Sequence, residues 1–108
     1  MKKTLEELKK KHQEFSIAKF PKSTAESSLI GLKKEADEAI NELHGINRDY
    51  NTEALPLEYV DCLMYLFDSI ERSGLTMEQI KIAFIKKLEI NEGRIWIKNF
   101  DGTYSHVK

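Results

Sequence analysis

Four stretches of this chain repeat apolar residues at three- and four-residue spacing, and three of them open on a capping-box sequence, which leaves little room for anything but helices. Thr4 with Glu7 opens the first, which carries Leu5, Leu8 and Phe15 and reads as a short amphipathic helix over about 4–14. Periodicity is lost between Phe15 and Lys22, around Phe20 and Pro21, and Ser23 with Glu26 then opens a second helix that runs to about His44. Its apolar stripe is Leu29, Leu32, Ala36, Ala39, Ile40 and Leu43, with Gly45 as a stop and 46–55 as a polar loop. Pro56 suits the first turn of a third helix reaching about Ser73, where Gly74 ends it. Thr76 with Gln79 opens a fourth, with Met77, Ile80, Ala83, Phe84 and Leu88 on one side, fading near Asn91 to Gly93.

The tail from Ile95 to Val107 alternates like an extended segment, and Asp101-Gly102 is a two-residue hairpin signal; a small hairpin and an irregular tail are equal alternatives. Four helices with short connections predict an all-α four-helix bundle. A chain of 108 residues, 41% of them hydrophobic, makes that one domain, 1–108.

Charge excludes one class of partner. Seventeen basic and eighteen acidic residues nearly cancel, and the short run Lys9 to Lys11 is no basic face, so a nucleic-acid polymer is not expected. A single cysteine, Cys62, excludes a disulfide framework and fits a reducing, cytoplasmic setting. Neither a leader nor a membrane-length apolar run is apparent, so a soluble, unexported protein is expected.

Chemistry enters with two acidic pairs, Glu35 with Glu38 and Glu58 with Asp61. About three such i, i+3 pairs arise by chance at this acidic content, so neither pair is informative alone. The third helix, however, gathers Glu58, Asp61, Tyr65, Asp68 and Arg72 into one polar column, with Leu57 and Met64 at its edge and Tyr59, Leu63, Leu66 and Ile70 behind. Buried unpaired carboxylates cost several kcal/mol each, at roughly that order, so the column calls for basic side chains, a metal ion or both. Glu35 and Glu38 lie at the border of their own apolar stripe, where an ordinary solvated edge beside Lys33 and Lys34 is the competing account. Four carboxylates from two helices suit Mg2+, with Mn2+ as a substitute, whereas zinc prefers histidine or cysteine. On the fourth helix Lys87 and Asn91 interrupt the apolar face, and Arg94 extends their row if the helix persists that far. Such a strip matches phosphate oxygens. Equally, Lys87 could snorkel and pair with Asp61 or Asp68.

With these residues in view the chain resembles the all-α nucleoside triphosphate pyrophosphohydrolases, the MazG-like group, whose signature is an E-x-x-E helix followed by an E-x-x-D helix. Here these read EADE, Glu35 to Glu38, and EYVD, Glu58 to Asp61. FPKSTAESSLIGLKKEADEAINEL, LPLEYVDCLMYLFDSIERSGLTMEQI, KKLEINEGRIW and the terminal DGTYSHV are similar to the small phage and bacterial dATP/dGTP pyrophosphohydrolase-type domain, from about Phe15 onward. The N-terminal helix, about 4–14, falls outside the resemblance, and Gly31 stands where many relatives carry histidine.

The resemblance implies Mg2+-dependent hydrolysis of a nucleoside triphosphate, such as dATP or dGTP, to monophosphate and pyrophosphate. It implies Glu35, Glu38, Glu58 and Asp61 as metal ligands, with Glu38 orienting the attacking water. Lys87, Asn91 and Arg94 would then bind substrate, and Asp68 would hold Lys87 or Arg72 in place. Trp96 or Tyr65 could stack on a base, against simple core packing as the plainer account. A homodimer or higher homo-oligomer is also expected. Competing functions are a non-catalytic helical interaction module and a related hydrolase of modified nucleotides or phosphoribosyl-ATP.

Overall fold

In the computed structural model, residues 3–45 and 54–107 are described, and they form four helices and one hairpin: α1 Leu5–Lys19, α2 Ala25–His44, α3 Ala54–Arg72, α4 Met77–Glu92, β1 Trp96–Lys98 and β2 Tyr104–His106. The all-α expectation holds, with the hairpin realised. The polar loop expected over 46–55 lies outside the described residues as far as 53, and Ala54 and Leu55 already belong to α3. The chain divides into two compact units, 1–75 and 76–108.

In the first unit, Thr4 caps α1 by accepting from the Glu7 backbone N–H at 3.1 Å. The helix then runs through Phe15 to Lys19, five residues past the expected end. Its extra turn is held from outside. Arg72 on α3 donates to the carbonyls of Ser16 (3.2 Å), Phe20 (3.0 Å) and Ser23 (2.8 Å), supplying partners to a chain that leaves the helix there. The second capping box is shifted by one residue: Thr24, not Ser23, is the cap, exchanging bonds with Ser27. Either hydroxyl could serve, and Thr24 places Ser28 inward.

Pairings of Ala25 with Ser69, Ser28 with Asp68 and Gly31 with Tyr65 show that α2 and α3 run antiparallel. The interior between the helices is unusually polar. Among the described residues the buried ones are Ser16, Ser28, Asp68 and Ser69 with a single hydrophobe, Ala39. The expected stripe of α2 is therefore only partly inside: Leu32, Ala36 and Leu43 are half-buried, while Leu29 and Ile40 are exposed. On α3 the polar column is buried at Asp68 and half-buried at Glu58 and Arg72, while Asp61 and Tyr65 are exposed; of its apolar back, Tyr59, Leu63 and Leu66 are exposed and Ile70 is half-buried. Helix α3 ends in a Schellman arrangement, with Gly74 at φ +79° and the N–H groups of Gly74 and Leu75 returning to Glu71 and Ile70.

In the second unit, Thr76 and Gln79 form the expected capping box of α4. The hairpin pairs Trp96 with His106 and Lys98 with Tyr104. Its connection is three residues long rather than two. The Gly102 N–H returns to Asn99, and Gly102 at φ +92° takes the left-handed position that lets Asn99 and Thr103 bond at 2.7 Å.

Candidate metal centre

Two helices bring three carboxylates to one point. Glu35 and Glu38 are a turn apart on α2, and Glu58 comes from the N-terminal part of α3, which antiparallel packing sets beside the C-terminal half of α2. One oxygen from each of the three lies within 4.8 Å of the others. Glu35 and Glu58 are half-buried and Glu38 is exposed. Asp61, with a side chain one methylene shorter, is exposed and stands outside that group, yet its charge bears on both Glu35 and Glu58.

The electrostatics describe a site short of positive charge. Burial, then the carboxylates of Glu38, Asp61 and Glu58, push Glu35 up to about 7. Glu58 is raised as well, first by burial. Oε2 of each is buried without a hydrogen-bond partner among the described residues. An interhelical salt-bridge network would put cations on these atoms. Two orphaned carboxylate oxygens facing each other across a helix pair fit a hard divalent cation, which oxygen ligands hold best. Cys62 borders the group, but burial and the charges of Glu35, Asp61 and Glu58 push its thiol up, so it stays protonated and offers no thiolate.

Asp68 belongs to a different constellation. It is buried, accepts from the Ser16 and Ser28 hydroxyls at 2.5 Å each, and pairs with Arg72 Nε at 2.8 Å. Although burial alone would raise its carboxyl, these three donors hold it below the ordinary carboxylate range. Of the two partners expected, Arg72 is the one it holds. Ser16 carries no signal in the sequence, because helical periodicity is lost at Phe15. Ser28 did carry a signal: it lies seven residues before Glu35, on the same face of α2.

The remaining candidates lie in the second unit. Lys87 is exposed on α4. Asn91 is half-buried and receives the Trp96 indole N–H on its carbonyl at 3.0 Å. Because α4 ends at Glu92, Arg94 does not continue the helical row; its guanidinium folds back to the Asn91 side chain at 3.4 Å instead. Trp96 packs edge-on to His106 at 5.9 Å, so hairpin packing is the contact the structure gives it.

Comparison with known proteins adds three findings. In fold, the chain is similar to a cyanophage S-2L MazG-like pyrophosphohydrolase bound to dGDP and three catalytic Mn2+ ions per active site, with TM-score 0.73 over 99% of this chain and all of that one, at 22% identity. In sequence, it is 45% identical over 47 residues to the Eaa protein of Salmonella phage P22, a match covering 44% of this chain and 15% of that relative. Residues 8–108 match a family model described as dATP/dGTP pyrophosphohydrolase, so the match begins inside α1, upstream of the motifs that suggested it. With its E-x-x-E and E-x-x-D helices meeting in one carboxylate cluster, the chain belongs to the dATP/dGTP pyrophosphohydrolase family.

Proposed function

We propose that the protein is a Mg2+-dependent pyrophosphohydrolase that converts a deoxynucleoside triphosphate, dATP or dGTP, to the monophosphate and pyrophosphate. One observation carries this: the paired, buried and unpartnered oxygens of Glu35 and Glu58, which a divalent cation would satisfy. Glu35, Glu38, Glu58 and Asp61 are the residues that would hold it, and Mn2+ can substitute. A bound divalent ion neutralises phosphate charge and acidifies water. Family membership and the nucleotide-bound structural neighbour support the substrate class.

The chain's own part is positioning. Glu38, the exposed member of the cluster, accepts a hydrogen bond from the attacking water and turns its oxygen toward the α-phosphorus. As that oxygen bonds to phosphorus, its proton passes to Glu38, the bond from the α-phosphorus to the α–β bridging oxygen breaks, and pyrophosphate leaves with that oxygen and the bonding electron pair. Lys87, Asn91 and Arg94 offer donors to phosphate oxygens, an assignment that rests on their spacing and the family motif. Asp68 acts through Arg72, holding α1 against α3.

A homo-oligomer belongs to the same proposal. Leu63, Leu66 and Tyr59 on the outer side of α3 and Leu29 and Ile40 on α2 are exposed, while the interior is polar. A second copy would cover these faces. The proposed setting is the cytoplasm; among the described residues no helix is long and apolar enough to cross a membrane.

The direct test incubates the protein with each deoxynucleoside triphosphate and Mg2+ and follows pyrophosphate. Asp61→Asn, which keeps the shape and removes a charge, is expected to lower kcat by on the order of a hundredfold with the fold intact. Unchanged turnover in this variant removes Asp61 from the site.

A further inference from the structure

A cavity of about 760 Å³ lies among α1, α2 and α3, and Asp61, whose charge bears on Glu35 and Glu58, lines it. Phe15, Val60, Met64 and Phe67 make most of its wall apolar, and Tyr65 lines it as well. Moving along the helix pair from Glu35 and Asp61, one turn reaches Gly31 on α2 and Tyr65 on α3, since both lie four residues away on antiparallel helices. There the helices touch in a way that depends on glycine. A Cβ at position 31 would collide with the Tyr65 ring, lying 2.6 Å from Cζ and 2.7 Å from Cδ1 and closer still to Cε1. Gly31 thus lets the ring rest directly on the α2 backbone.

We propose that Tyr65, seated on Gly31, is the surface on which the substrate's nucleobase stacks, and that Gly31 is the residue that positions it. This rests on the phosphohydrolase reading above, which puts the phosphates at the carboxylates. A helical turn, about 5.4 Å, then separates the phosphate end from the ring, room for a sugar-sized spacer. What remains of a nucleotide beyond its sugar is flat and aromatic, and the cavity presents a backed aromatic ring beside the apolar side chains of Val60, Met64 and Phe67. Because α2 supports the ring from behind, little freedom is lost when a base packs on it.

Steady-state kinetics across the four deoxynucleoside triphosphates test this, with inorganic tripolyphosphate, which has phosphates and no base, as a competing inhibitor. Tyr65→Leu is expected to raise KM on the order of tenfold, the scale of one lost stacking contact, with kcat changed less than about twofold. Tyr65→Phe recovers most of that loss. Gly31→Ala, which pushes the ring aside, raises KM comparably, yet adds nothing in the Tyr65→Leu background. Tripolyphosphate inhibits all variants alike. Unchanged KM in folded Tyr65→Leu, a loss in kcat alone, weakened tripolyphosphate inhibition, or additive effects of the two substitutions would each overturn the proposal. Should the wild type release no pyrophosphate, the phosphohydrolase reading fails by itself; stacking is then read from dGMP-induced shifts of the Tyr65 ring resonances without metal. Absence of these shifts in the wild type, or of the corresponding ring shifts in Tyr65→Phe, which keeps an aromatic ring at this position, overturns stacking independently.

Discussion

Glu35 is a carboxylate that the fold makes hard to ionise. Its raised value of about 7 comes from burial and from three acidic neighbours. The folded state therefore keeps a proton that the unfolded chain gives up near 4.5, so the metal-free fold loses stability as pH rises from about 4.5 to 7. Glu58 shifts in the same direction. A divalent cation must displace that proton, and its affinity is expected to fall roughly tenfold per pH unit below about 7. Calorimetric titration with Mg2+ between pH 5.5 and 8 checks the slope; a flat profile would separate Glu35 from the ion. Glu35→Gln removes the unwanted charge and is expected to raise the melting temperature of the metal-free protein at pH 8 while abolishing its Mg2+-induced shift. Loss of stability in that variant without metal would show that the Glu35 charge is already compensated.

Among the helices, those whose ends are decided locally were legible from residues alone. Thr76 with Gln79 and the left-handed Gly74 mark their boundaries in the chain. Helix α1 was not, because the partner that supports its last turn is Arg72, 56 residues from Ser16. The same distance hid the buried Ser16–Asp68–Ser28 network, while the carboxylate cluster became legible only when the two acidic pairs, uninformative as spacings alone, were set beside the polar column of α3 and the family resemblance. Where hydrophobicity misled was α2, whose expected stripe leaves Leu29 and Ile40 exposed, whereas the polar column of α3 is buried at Asp68 and half-buried at Glu58 and Arg72. Removing Asp68 would leave the half-buried Arg72 without its counter-charge and the buried Ser16 and Ser28 hydroxyls without their acceptor. Asp68→Ala is expected to cost about 3 kcal/mol, read by urea denaturation. A change under about 0.5 kcal/mol would mean that water replaces the carboxylate without penalty.

For the whole molecule, exposed apolar faces and a polar interior have a common consequence. Tyr59 and Leu57 on α3 are more than half exposed, as is Ile40 on α2, whereas only Ala39 among the described hydrophobes is buried. The proposed homo-oligomer would cover these faces and add the hydrophobic stabilisation that the polar interior does not supply. Sedimentation equilibrium at micromolar concentration is expected to return at least twice the 12.6 kDa chain mass, with melting temperature rising with protein concentration. A stable monomer at 12.6 kDa would refute it. Assembly and chemistry are separate proposals, and the second is the central one: that Glu35, Glu38, Glu58 and Asp61 would hold the divalent ion on which the proposed hydrolysis depends. Pyrophosphate release from dATP and dGTP, titrated with Mg2+ in the wild type and in Glu35→Gln, tests it most directly. Release is expected to saturate with Mg2+, to stop with a chelator and to fall at least about a hundredfold in the variant; equal release by the folded variant, or release that persists without divalent ions, would contradict it.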